Sequence, residues 1–237
     1  AQVVAGRARR VEELGVEVGA DGARHVLAVA ERLADPQGAP VAAVEPGTAC
    51  FLAAILGAPG VVLGPVHNED NGWTEAEAER NLRDGLRQLR PILQAYGVTG
   101  YVEPLGMEGS TMKRQDMAVA AVSDIDGWDA YALCYDTFQY FRCGDTQLFP
   151  ERIGLAHMSG ISRPDLGPAE LTEPDRGLIF IDDRVGNVAQ LRHLFASGYK
   201  GFVSMEPFSP TVQRDPDLMS RLRASLEYVG ALLPKLT

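Results

Sequence analysis

Four residues able to bind a cation or move a proton recur at one kind of position: Glu103, Asp136, His157 and Glu206 each follow directly on a short apolar run. The runs are Val98 to Val102, Ala130 to Tyr135, Ile153 to Ala156 and Phe202 to Met205, each suited to a buried parallel strand. Pro104 and Pro207, immediately after the two glutamates, bar further ladder pairing and end those strands. Taken singly, Asp136 reads as a turn former, His157 as a satisfied histidine and the glutamates as solvated strand ends. Together they stand at the strand C-termini, where an α/β barrel builds its site. Three carboxylates that close disfavour one another's ionised state unless a cation intervenes. Three oxygen donors and an imidazole suit one divalent ion of the Mn, Mg, Co or Zn type.

The elements that must position these groups alternate along the chain. Gln2 to Ala5, Gly15 to Val18 and Pro40 to Val44 are expected as strands one to three, with helices over Arg7 to Leu14, Ala23 to Ala34 and Thr48 to Leu56. The fourth strand is expected over Val61 to Val66, ending at His67. Thr74 and Glu77 form a capping-box pattern, and Leu82, Leu86, Leu89, Leu93 and Tyr96 recur at helical spacing until Gly97, with Pro91 an expected kink. Further helices are expected over Gln115 to Val122, Asn187 to Ser197 and within Asp217 to Leu233, and Gly198 supplies a left-handed stop. A short connection with Arg142 and Gly144 and a proline-bearing polar loop complete the second half. Continuous apolar strands alternating with helices predict a parallel sheet covered by helices. Eight such units predict one (β/α)8 barrel domain over 1–237 with a short or incomplete first βα unit. The alternative is an open doubly wound sheet, but no Gly-x-Gly-x-x-Gly or Walker-type loop follows an early strand, so no nucleotide cofactor is expected.

Composition narrows the partners. The 237 residues are 46% hydrophobic and 23% charged, with no low-complexity tract or linker. A net charge of −10 disfavours nucleic acid, whose affinity comes largely from Lys and Arg. Neither a membrane span nor a signal-peptide pattern is present, so no membrane partner is expected. Cys50, Cys134 and Cys143 are an odd set without Cys-x-x-Cys spacing, which argues against a disulfide framework or a thiolate zinc site and for a reducing, cytoplasmic setting.

The motifs Val-Glu-Pro-Leu at 102 to 105, Tyr-Asp-Thr-Phe-Gln at 135 to 139, Ala-His-Met-Ser at 156 to 159, Leu-Thr-Glu-Pro-Asp-Arg at 171 to 176 and Gly-Tyr-Lys-Gly-Phe-Val-Ser-Met-Glu-Pro-Phe at 198 to 208 occur in this order. The pattern resembles the xylose-isomerase-like sugar isomerase/epimerase family, among whose members are 2-keto-myo-inositol isomerase and inosose dehydratase. That resemblance implies a TIM barrel in which Glu103, Asp136, His157 and Glu206 bind the metal, Glu103 and Glu206 also move protons, and Arg176 lies near substrate. The family commonly has a histidine three residues after the strand-six aspartate, where this chain has Gln139. Glutamine can hydrogen-bond a substrate hydroxyl but is no acid or base near neutral pH.

The expected chemistry is abstraction of a proton beside a ketone, giving an enediolate, with return of the proton by the second glutamate. Isomerisation or epimerisation of a keto-sugar or keto-inositol results; loss of a β-hydroxyl on the same site would make the enzyme a dehydratase. His67 and Glu108 are further candidates for substrate hydroxyls, each equally readable as structural or solvated. Arg176 can instead pair with Asp175 or Asp182, Trp73, Trp128 and Phe138 can line a pocket or a core, and Asp182, Asp183 and Arg184 read as a loop before a helix cap. Rival classes are a non-catalytic sugar-binding barrel and an abasic-site endonuclease. Four histidines in all and the acidic balance count against the latter. A homo-oligomer is compatible with all of these.

Overall fold

A computed structural model describes residues 28–29, 46–67 and 72–233. The expected strands at 2–5, 15–18 and 40–44 and the helix at 7–14 lie outside the described residues. The chain divides into two compact units, one holding Ala76–Val102, Ala121–Ala132 and the described residues up to Gly64, the other Pro65–Glu75, Glu103–Ala120 and the chain from Leu133 onward.

In the first unit, strand β1 (Ala28–Val29) pairs in parallel with β2 (Gly60–Leu63), after helix α1 (Pro46–Leu56). A helix over Ala23 to Ala34 was the expectation at β1, and a brief apolar run is equally compatible with either state. Helix α2 (Glu75–Tyr96) starts directly after Thr74, runs through Pro91 and stops at Gly97, whose φ is 64°. It leads into β3 (Thr99–Val102), parallel to β2 in the register Val62 to Tyr101. Tyr131 Oη donates to the Leu86 carbonyl at 2.6 Å and Arg90 pairs with Asp129, so the helix is tied to the segment that opens the next strand. Strand β2 ends at Leu63, short of the expected Val66, because Pro65 has no N–H to offer a ladder. His67 consequently does not end a strand; it makes an isolated antiparallel bridge with Ser110 in the second unit.

The remaining elements are α3 (Gln115–Asp124), β4 (Tyr131–Asp136), α4 (Thr137–Arg142), β5 (Ile153–Met158), α5 (Asn187–Ala196), β6 (Phe202–Met205), the short α6 (Pro210–Gln213) and α7 (Leu218–Leu232). In the second unit β4, β5 and β6 pair in parallel in that order, with Asp136 opposite His157 and His157 opposite Ser204. Leu133, Cys134, Leu155 and Ala156 are all almost fully buried, which is why both strands read as unbroken apolar runs. Met107, Phe138, Ile161, Leu171 and Val185 form the core beneath the loops at the strand C-termini.

Two expectations are corrected here. The connection through Arg142 is helix α4, which sequence periodicity missed because it is only six residues long. Strand β6 was expected to be fully buried, yet Phe202 is 51% exposed, since β5 is its one strand partner among the described residues. As expected, Gly198 closes α5 with φ of 96°, and Asp183 serves the start of that helix, accepting from Asn187 N at 3.0 Å. No helix among the described residues is long and apolar enough to cross a membrane.

Candidate functional site

Each of the four strand-end residues owes its place to the strand before it. Glu103 follows β3, Asp136 and His157 lie at the ends of β4 and β5, and Glu206 extends the β5 and β6 ladder by donating its N–H to the Met158 carbonyl. One ligand atom from each of Glu103, Asp136, His157 and Glu206 lies within 4.8 Å of the other three. His157 Nδ1 stands 3.0 Å from Glu103 Oε1 and 3.2 Å from Glu206 Oε2.

Asp136 has a second task. Its Oδ1 accepts from Phe138 N and Gln139 N at 2.7 and 3.2 Å, capping α4, so only Oδ2 faces the cluster. That oxygen meets Arg176, which is 1% exposed and the largest fully buried side chain among the described residues. The Arg176 guanidinium also donates to Glu206 Oε2 at 2.7 Å, Glu173 Oε2 at 2.6 Å and Ser159 Oγ at 2.9 Å. Phe138 and Phe208 flank it with centroids 5.0 and 4.7 Å away. Its alternative pairing with Asp175 or Asp182 is thereby corrected: Asp175 pairs with Arg163 and caps the turn at Thr172. Backbone contacts hold the arginine in place, because Gly160 and Gly177 exchange two hydrogen bonds and Ser209 N donates to the Arg176 carbonyl.

The electrostatics follow from this crowding. Four carboxylates, with Glu173, face one guanidinium and one imidazole, which leaves excess negative charge in a largely buried site. Burial pushes Asp136 up to about 7, against the pull of Arg176. Burial also acts upward on Glu206, but His157 and Arg176 outweigh it and hold that carboxyl down at about 2. Burial pulls His157 down, yet the surrounding acidic groups raise it well above its ordinary value. Excess negative charge and a mixed oxygen and nitrogen donor set are what a divalent cation fits.

Other expected residues sit differently. Gln139 is buried and fully engaged, its Oε1 accepting from Gly106 N at 2.9 Å and its Nε2 donating to Glu173 Oε1 at 2.8 Å. His67 Nε2 lies 3.0 Å from the Glu108 carbonyl, both residues are exposed, and the Glu108 carboxylate faces Lys113 at 3.4 Å. Phe138 packs under Arg176, while Trp73 is 42% exposed and Trp128 donates to Ser123 Oγ. Sequence reasoning missed Cys134, Ser159, Glu173 and Phe208. The signal for Cys134 was present, since it lies two residues before Asp136 on the same face of β4, and Ser159 follows directly on the end of β5. For Glu173 the clue was its position three before Arg176 across a proline-bearing turn.

A family model described as xylose isomerase-like TIM barrel matches residues 47–229. Among solved structures, a xylose isomerase domain containing protein from Salmonella typhimurium LT2 superposes with a TM-score of 0.67 at 22% identity, over 76% of this chain and 66% of that one. The structure of IolI protein with a binding zinc atom gives 0.68 at 20%, over 81% and 69%. 3-Keto-D-glucoside 4-epimerase YcjR from E. coli gives 0.58 at 16%, over 78% and 69%. This chain thus spans about two thirds of the length of those structures. No curated protein sequence matches it. The parallel β/α arrangement and these likenesses make the fold an α/β TIM barrel.

Proposed function

Because this chain belongs to the xylose isomerase-like TIM barrel family, we propose that it is a divalent-metal-dependent isomerase or epimerase of a keto-sugar or keto-inositol, working through an enediolate. The observation that carries the reading is the convergence of Glu103, Asp136, His157 and Glu206 donor atoms within 4.8 Å. Support comes from the zinc in IolI and from the epimerases among the structural neighbours, one of them described as a D-tagatose 3-epimerase-like protein. Glu103, Asp136, His157 and Glu206 would hold the ion. When bound, a dication polarises the substrate carbonyl and offsets the charge that builds on its oxygen.

The protein's own residues divide the remaining work. Glu206 is the base that meets substrate, because its side chain is 12% exposed whereas those of Glu103 and Asp136 are 4% and 0%. A carboxylate held at about 2 is a weak base. Transfer of the Arg176 contact from Glu206 to a substrate oxygen would place the arginine on the ligand and raise the proton affinity of Glu206, on which His157 still acts. Glu103 is the partner acid: it enters the step protonated, gives that proton to the neighbouring carbon or to the opposite face, and is reprotonated from solvent as Glu206 releases the abstracted proton. Gln139 acts through Glu173, which in turn holds Arg176.

The test is incubation of metal-loaded protein with a panel of keto-inositols and ketoses in deuterated water, followed by NMR. Solvent deuterium at the carbon beside the carbonyl is expected, and chelator should stop it. Absence of exchange from every panel member would overturn the reading, and elimination of water in its place would make the enzyme a dehydratase.

A further inference from the structure

Helix α5 opens with an asparagine whose side chain does not cap it. Asn is favoured just before a helix, where its oxygen accepts a first-turn amide. Asp183 Oδ2 takes that task instead, accepting from Asn187 N at 3.0 Å, and Gly186, with φ of 73°, delivers Asn187 as the first helical residue. The Asn187 amide is fully buried and reaches inward. Its Nδ2 donates to the Ser159 carbonyl at 2.8 Å and to Asp183 Oδ2 at 3.0 Å, which uses both hydrogens. Its Oδ1 accepts from Thr137 Oγ1 at 2.5 Å.

These contacts close a ring beside the site. Ser159 Oγ accepts from Arg176 Nε at 2.9 Å, Arg176 reaches Asp136 Oδ2 at 2.5 Å, and Asp136 is joined through the chain to Thr137, which returns to Asn187. Thr137, Ser159 and Asn187 are all fully buried, so their bonds act at low dielectric, and a fully satisfied buried network is rigid. Gln190, one turn along α5, grips the same stretch of β4 and α4: its Nε2 donates to the Thr137 carbonyl at 3.2 Å and its Oε1 accepts from Tyr135 Oη at 2.6 Å. Asn187 adds the bond to Ser159, and through it a link to Arg176.

We propose that Asn187 is a positioning residue that sets the direction of the Arg176 guanidinium, with Ser159 as the link and Thr137 and Asp183 as its fixed supports. Asn187 fixes the Ser159 carbonyl, which places Ser159 Oγ under Arg176 Nε. The other partners of the guanidinium are the carboxylates of Asp136, Glu173 and Glu206, so the Nε contact is the one made to a neutral group. A planar fork held at Nε presents its terminal nitrogens in set directions. The consequence for turnover rests on the proposed reaction, in which those nitrogens exchange Glu206 for a substrate oxygen.

The experiment is ¹H–¹⁵N spectroscopy of the arginine Nε–H groups in the full chain, with the Arg176 signal assigned by through-bond correlation. In the wild type this signal is expected to resist solvent exchange. In Asn187→Ala it should shift and exchange about tenfold faster or more, whereas a role in stability alone would leave the native signal in place. Asn187→Leu, which keeps the bulk of the side chain, gives the same comparison if the alanine variant does not fold. In the deuterium assay Asn187→Ala should slow labelling about tenfold or more, and add less than about twofold in an Arg176→Lys background, because both changes act on one group. A folded Asn187 variant with the Arg176 signal unmoved, or with an effect that multiplies with that of Arg176→Lys, would overturn the inference. If the wild type labels no ketose, the proposed reaction falls, and the Arg176 signal still decides the role of Asn187.

Discussion

One nitrogen of the Arg176 guanidinium bridges Glu206 and Asp136, at 2.7 and 2.5 Å, inside a site where the arginine itself is 1% exposed. Removing one partner of a buried ion network leaves the others uncompensated. Arg176→Ala is therefore expected to lose about 3–5 kcal/mol of stability in chelator, and Zn²⁺ or Mn²⁺ should restore part of it. Urea denaturation with and without metal measures both effects. A variant as stable as the wild type in chelator would contradict the network.

Glu206→Gln keeps the shape of the side chain and removes its basicity. We expect deuterium exchange into a reactive ketose or keto-inositol to fall about 10²-fold or more, with the far-ultraviolet circular dichroism unchanged. An active glutamine variant would remove Glu206 from the proton-transfer role.

The metal-free protein should be more stable near pH 5.5 than near pH 8, by the following signs. Asp136 rises from 3.8 to about 7 on folding, so the native state binds more protons across that window and loses stability as pH climbs through it. His157, also raised, contributes stability that is present below 6.5 and lost as pH passes its native value. Glu206 acts oppositely, but only in acid, where its contribution disappears as pH falls from 4.5 toward 2. Thermal denaturation in chelator across pH 4 to 9 tests this, and Asp136→Asn should flatten the neutral slope.

Metal binding should then be coupled to proton release, because Asp136 and His157 must both be deprotonated to act as ligands. Near pH 6 about two protons are expected to leave, and above about pH 7 closer to one from these groups. Calorimetry in buffers of different ionisation enthalpy counts them. Affinity independent of pH would show that these residues are not the ligands.

Gly160→Ala is a test of how Arg176 is held. A Cβ at Gly160 would lie 2.3 Å from the Leu178 carbonyl oxygen, and the two hydrogen bonds shared with Gly177 would have to part. The expected result is a loss of activity well beyond the loss of stability, since Gly177 adjoins Arg176. Wild-type turnover in a folded variant would show that this bridge does not position the arginine.

The sequence by itself determined that Glu103, Asp136, His157 and Glu206 stand at the ends of apolar strands, but not where every strand lies, since Ala28–Val29 reads as helix and β2 stops at Leu63, short of His67. Ile153 to Ala156 is readable because a buried parallel strand is apolar on both faces, although β5 runs on through His157 to Met158. Phe202 to Met205 is readable as an apolar run although β6 is only partly buried. Gly97 stops α2 for an equally local reason, its left-handed backbone conformation. Helix α4 was not readable, because six residues hold too little periodicity and the capping role of Asp136 shows only once its Oδ1 is seen against Phe138 N and Gln139 N. Tertiary structure alone decided the partners of Arg176, which come from Asp136, Ser159, Glu173 and Glu206 across 3 to 40 residues of separation. It also decided that Gln139 is consumed by Gly106 and Glu173, and that Cys134 stands beside Glu103. Local pattern fixes backbone state because capping and burial act within a few residues. Charge pairing in a buried site is fixed by distances between strands, and no spacing along the chain encodes them.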